Sequence, residues 1–156
     1  MRLFIRAPSE NLMFAPTEAS RREPNSRLAF SQVCKSEGKE CAMAFLKAAV
    51  AWYKRLGIKI ERVMTANRSC YRSKVFNKLC KVRGIRHAYT KPYTLKTNGR
   101  AERFIQSSLR DWTYAQAYDT SEQRKKELSY WLHHYNWHRP HAGMKGNYRS
   151  DVQACM

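Results

Sequence analysis

The stretch from Lys39 to Gly57 constrains the fold of this chain more than any other. Ala42, Phe45, Leu46, Ala49, Val50, Tyr53 and Leu56 recur at steps of three and four, so they line one side of a helix, and Gly57 stands where a left-handed cap residue belongs. A helix with a continuous apolar side must lay that side on another layer. The neighbouring segments supply one. RLAFSQV, from Arg27 to Val33, alternates and carries aromatic and β-branched residues, which predicts a strand; Ile58 to Met64 predicts a second, ending in a loop from Thr65 to Ser69. Ser73 to Arg83 predicts a short helix with Val75, Phe76, Leu79 and Cys80 on one side, stopped by Gly84, and Ile85 to Thr90 a third strand before the turn-rich KPYTLKTNG. A long helix capped by Asn98 is expected to bury Ala101, Phe104, Ile105, Leu109 and Trp112. A last one opens with a capping box, Thr120 with Gln123, buries Leu128, Trp131, Leu132 and Tyr135, and ends at Pro140. Short strands alternating with helices imply an α/β fold, a sheet sandwiched by helices.

One core is enough for this length: 156 residues make a domain of ordinary size, and 43% hydrophobic residues, with four Trp, nine Tyr and six Phe, can fill it. Residues 1–26 contain Pro8, Pro16 and Pro24 and no sustained periodicity, and read as a poorly ordered leader; the domain is expected over 27–143, with a short tail over 144–156. Leu3-Phe4-Ile5 is too short for a signal peptide, and no stretch approaches the roughly 18–20 apolar residues of a membrane span, so a cytoplasmic protein with no membrane partner is expected. Cys34, Cys41, Cys70, Cys80 and Cys155 are odd in number and widely separated, without a C-x-x-C pair, and read as reduced thiols.

Charge points to the partner. Thirty Lys and Arg against twelve Asp and Glu give a net +18, and between Lys59 and Arg110 fourteen basic residues meet only two acids, Glu61 and Glu102. A field of that sign attracts polyanions. A membrane-binding chain would concentrate it on one amphipathic helix with a bulky apolar face, whereas here it spreads over strands, helices and loops, which favours nucleic acid.

Three stretches carry a family resemblance: VMTANRSCYRS (63–73), GIRHAYTKPYTLKTNGRAERF (84–104) and HHYNWHRPHAGM (133–144). With the order of elements around them, Arg27 to about Gly143 resembles the integrase-core domain of bacterial insertion-sequence transposases, related to retroviral integrases. The resemblance implies a ribonuclease-H-like mixed sheet flanked by helices, DNA as substrate, and an Asp-Asp-Glu triad holding two divalent cations, Mg²⁺ or Mn²⁺. One such cation activates the nucleophile and the other stabilises the leaving oxygen. The family's Glu lies in the first turn of the long helix, where Glu102 stands in its N-G-x-A-E setting; its second Asp lies 36 positions earlier, which is Ala66 here. The family's first Asp belongs to a strand before RLAFSQV, yet no Asp precedes Asp111, and Glu10, Glu18 and Glu23 lie in Pro-rich surroundings. The fold is therefore expected to lack its first strand, leaving an open strand edge through which a homo-oligomer can form. Glu102 is the remnant of the triad and the only metal ligand left, weak if any, so stable Mg²⁺ or Mn²⁺ binding is not expected and the copy is expected to be a degenerate, inactive core. The missing strand motif and the ending after Arg149 read as truncation, and no upstream helix-turn-helix is seen.

By the same resemblance Lys91, Tyr93, Lys96, Arg100 and Arg103 face DNA, mainly its phosphate backbone, with Tyr93 stacking on a frayed base. The basic residue expected two turns after the Glu would be Leu109; Arg110 is next to it, rotated by about 100°. Two other readings remain: a divalent-metal nuclease or strand transferase using Glu102, and a small basic RNA-binding protein, which leaves the long motif matches unexplained. His133, His134, His138 and His141 have spacings that could pair ligands on a helix, but without a Cys or acid to complete a tetrahedron they read as structural or phosphate-facing. Arg124, Lys125 and Lys126 read as a solvated helix face.

Overall fold

The computed structural model describes residues 2–5, 12–18, 28–34, 36, 38–90, 99–113 and 119–139. In chain order these form β1 (Arg2–Ile5), β2 (Leu12–Glu18), β3 (Ala29–Val33), α1 (Lys39–Arg55), β4 (Arg62–Thr65), α2 (Ser69–Arg72), α3 (Lys74–Val82), β5 (Arg86–Tyr89), α4 (Gly99–Ser108) running into a π-helical turn (Leu109–Thr113), and α5 (Ser121–Trp137). The strands make one five-stranded sheet in the order β3-β2-β1-β4-β5. β1 pairs antiparallel with β2 and β2 with β3, while β1 and β4, and β4 and β5, run parallel.

This corrects two expectations. The region read as a poorly ordered leader supplies two strands, and the strand expected to be missing is present at the centre of the sheet, with Arg2, Leu3, Phe4 and Ile5 in register with Arg62, Val63, Met64 and Thr65. Four residues are too few to show a period, and Pro16 inside β2 reads as a breaker. It is tolerated because it faces Ala29 across the β2–β3 ladder and, on its other side, lies just past the β1–β2 pairs Arg2–Glu18 and Leu3–Thr17. In an antiparallel pair, opposite residues either exchange both backbone bonds or neither, and a proline can occupy only the second kind of position.

The later elements follow the sequence more closely. α1 and α3 close on Gly57 and Gly84, both with positive φ (70° and 66°). Two segments differ. Strand β4 starts four residues later than its apolar run, because Ile58 and Ile60 are buried as irregular chain beneath the helices, and helix α2 starts at Ser69, the last residue of the expected loop, and fills the gap before α3. On α3, Phe76 and Cys80 are buried one turn apart, and Val75, about 100° round from them, is 44% exposed.

Alternation along the strands splits the core into two layers. On one face Leu3, Ile5, Met13, Ala15 and Val63 meet Ala42, Phe45, Leu46, Ala49 and Tyr53 of α1 and Tyr71, Phe76 and Cys80 of α2 and α3. On the other, Ala29 packs with Phe104, Ile105, Trp112 and Leu128, flanked by Trp131, Leu132 and Tyr135. Tyr53 ties the first layer together, its hydroxyl donating to the carbonyls of Ala15 (2.6 Å) and Leu28 (3.1 Å).

Candidate nucleic-acid interface

The three parallel strands point the same way, so the carboxyl ends of β1, β4 and β5 form one rim of the sheet, the place where open α/β folds hold ligands. Thr65, the last residue of β4, is fully buried; Ala66 follows it, half-buried, and then Asn67, exposed. The loop is held down at two points. The Thr90 N–H donates to the carbonyl of Thr65 (2.9 Å), and the Asn67 amide nitrogen donates to the carbonyl of Thr90 (2.8 Å).

Beneath the rim runs a polar relay that links β4, β5 and α3. The Thr65 hydroxyl lies 2.8 Å from Nε2 of His87, whose Nδ1 lies 2.7 Å from Oδ1 of Asn77. The Asn77 amide nitrogen donates to the Ser73 carbonyl (3.1 Å), which fixes the orientation of the amide and makes Oδ1 the atom facing His87. His87 therefore carries its proton on Nδ1 and accepts from Thr65 at Nε2. Burial against the ring of Phe76, 5.1 Å away, pushes the His87 pKa below its ordinary value, in keeping with a neutral ring. The sequence reading missed this relay.

Charge along the chain that follows the start of β4 is one-sided. From Arg62 to Ala101 the chain contains no Asp or Glu. Arg68, Arg72, Lys74, Lys78, Lys81, Arg83 and Arg86 are all exposed, and Lys74, Lys78 and Lys81 form one stripe along α3. Of the residues expected to contact DNA, Lys91, Tyr93 and Lys96 lie outside the described residues. Arg100, Glu102 and Arg103 fall within α4, with their side chains outside the described part of the structure. Arg110 falls in the π-helical turn, where the 100° step used to place it no longer applies; it is exposed, and its Nε donates to Asp111 (2.8 Å). Asp111 also accepts from Arg139 (2.8 Å), and the guanidinium of Arg110 first, then that of Arg139, holds its carboxyl below the usual range.

The donors described at the rim do not fit a pair of Mg²⁺ or Mn²⁺ ions. Such ions require carboxylate oxygens. β1 reads Arg-Leu-Phe-Ile, position 66 is Ala, the Asn67 amide is a neutral donor committed to the loop, and the Thr65 hydroxyl is engaged by His87. Among the described residues no group of three or more His, Cys, Asp or Glu could hold a metal ion, and no helix is long and apolar enough to cross a membrane.

Residues 83–147 match a family model described as an integrase core domain. Over 97% of the chain the fold superposes on the catalytic core domain of BIV integrase, with a TM-score of 0.70 and 18% identity, covering 91% of that chain. It also superposes on a chain of the simian T-cell lymphotropic virus intasome in complex with a PP2A regulatory subunit, at a TM-score of 0.73 and 19% identity, and spans 53% of that chain. No curated protein matches by sequence. The fold is that of the retroviral integrase catalytic cores, a ribonuclease-H-like mixed sheet between helices.

Proposed function

We propose that this chain, an integrase-type core over residues that match that family, is a degenerate relative of insertion-sequence transposases: it binds nucleic acid through phosphate contacts and does not catalyse strand transfer. One observation carries the reading. The ends of β1 and β4, which in this fold face each other across a parallel ladder, carry no carboxylate, while the segment from Arg62 to Ala101 keeps only positive charge. Two cations repel each other strongly unless anionic oxygens lie between them, and Glu102 alone cannot supply those. The cationic surface needs no such chemistry and acts on any polyanion at range. Duplex DNA is the favoured partner because the extended motif matches belong to a DNA-recombining family.

The test uses the full chain with linear and supercoiled DNA in Mg²⁺ and in Mn²⁺. The expected result is binding that weakens steeply with salt, by about 0.9 in log–log slope per phosphate neutralised, and no nicking or joining in either metal. Ala66→Asp alone is expected to leave cleavage absent, since β1 still offers no ligand. Metal-dependent nicking by the unmodified chain that disappears in Glu102→Gln would reverse the inactive reading. Affinity insensitive to salt would reverse the binding one.

A further inference from the structure

Three imidazoles meet at the end of α5, on the helix that packs over edge strand β3 and away from the acid-poor rim. His133 and His134 belong to its last turns. His138 is its C-cap, and the His138 N–H donates to the carbonyl of His134 (2.9 Å). That closure turns the His138 ring back along the helix. Its Nε2 comes within 3.3 Å of Nε2 of His133, and the ring stacks on His134 with centroids 5.9 Å apart and planes 29° from parallel. All three side chains are exposed.

Two neutral imidazoles can share one proton across such a gap, and a cation can occupy the same place. With metal–nitrogen bonds of about 2.0–2.1 Å, two ligands of a tetrahedral ion lie about 3.3–3.4 Å apart, and two adjacent ligands of a square-planar ion about 2.9 Å apart. The observed separation matches the tetrahedral bite. The interval of four residues between His133 and His138 also falls within the H-x3–5-H spacing of zinc ligands. Asp111, the carboxylate that reaches Arg139 next door, is already engaged by two guanidinium groups, so the donors here are nitrogens, which select zinc over magnesium.

We propose that His133 and His138 form a two-nitrogen chelate for a zinc ion, with solvent completing the tetrahedron. His134 is a positioning residue: its carbonyl holds the C-cap and its ring backs that of His138. The closed C-cap presets the bite, so only side-chain rotations need to be frozen on binding. This revises the structural or phosphate-facing reading of these histidines from sequence, and it stands whether or not the chain binds DNA.

The experiment titrates Zn²⁺ into the full chain against a chromophoric chelator and follows the histidine ring signals by NMR. One zinc per chain is expected, not displaced by Mg²⁺, with the rings of His133 and His138 perturbed most. His133→Ala and His138→Ala should each weaken binding by at least about tenfold, and so should the bulkier His133→Gln and His138→Gln, while thermal unfolding without zinc stays unchanged because the rings are exposed. No zinc uptake by the unmodified chain would overturn the proposal. So would uptake that survives all four substitutions, or that is lost instead in Cys34→Ser or Cys41→Ser.

Discussion

Asn136 does for the first residue of strand β3 what a neighbouring strand would do. Its side-chain oxygen accepts from the Ala29 N–H (2.8 Å) and its amide nitrogen donates to the Ala29 carbonyl (2.9 Å), both buried. Ala29 faces Pro16, so its backbone groups exchange no bonds with β2 and point off the open edge of the sheet. The amide satisfies that edge at Ala29 from across the chain. Asn136→Ala leaves a buried donor and a buried acceptor unsatisfied, at a cost of about 1–3 kcal/mol, read as a lower denaturant midpoint with unchanged slope. Asn136→Asp is expected to be worse, since a carboxylate would face the Ala29 carbonyl with no proton to offer. Position 136 sits four residues after Leu132, but the sequence reading did not single it out, and its partner lies 107 residues away. His87 is a second case. Above its ordinary pKa of 6.5 the ring is neutral in the folded and the unfolded chain and its titration contributes nothing. Below that value the unfolded chain takes up a proton that the folded ring resists, because its pKa is lowered by burial, so stability falls as the pH drops. His87→Gln should flatten that decline in a pH series of denaturation midpoints, relative to the unmodified chain.

At the scale of elements, local signals announced what local physics decides. Helices α1, α3 and α5 were visible from their apolar steps, and the Thr120 cap forms as its spacing predicts, the hydroxyl accepting from the Gln123 N–H (3.2 Å). The return bond from Gln123 goes to the Asp119 N–H rather than to that of Thr120. Gly57 and Gly84 end their helices in a left-handed conformation, with open space where a side chain would begin. Replacing either by Ala therefore meets no clash and tests the backbone alone: about 1–2 kcal/mol less stability at each, additive in the double variant because each closes its own helix. Strands β1 and β2 were illegible for the opposite reason. They are defined by pairing partners rather than by their own composition, and β1 becomes a strand only because β4 and β2 flank it. The rim was less legible. Ala66 was matched to the family's second Asp through the resemblance alone, and the Thr65–His87–Asn77 relay joins three elements that no single window spans.

For the molecule as a whole, net charge is the property with the longest reach. If the proposed interface extends over the exposed stripe of α3, reversing Lys74, Lys78 and Lys81 to Glu should weaken DNA binding and lower the log–log salt slope by about 0.9 for each phosphate no longer neutralised, with unfolding little changed because these side chains are exposed. Reversing Lys125 and Lys126 on α5 by the same chemistry separates a local interface from a general field: an equal weakening there would mean that only total charge counts. The position of β1 also has a consequence in time. Strand β1, which precedes the other described strands in the chain, joins the hairpin half of the sheet to the parallel half, since Arg2 finds its antiparallel neighbour in Glu18 but its parallel one only in Arg62. Pairing with β2 closes a short loop and can come early; pairing with β4 must wait until the whole of α1 has been synthesised and laid across the sheet. Until then one flank of β1 is an unsatisfied template, and the speed with which α1 docks sets how long a nascent chain stays open to capture by its neighbours.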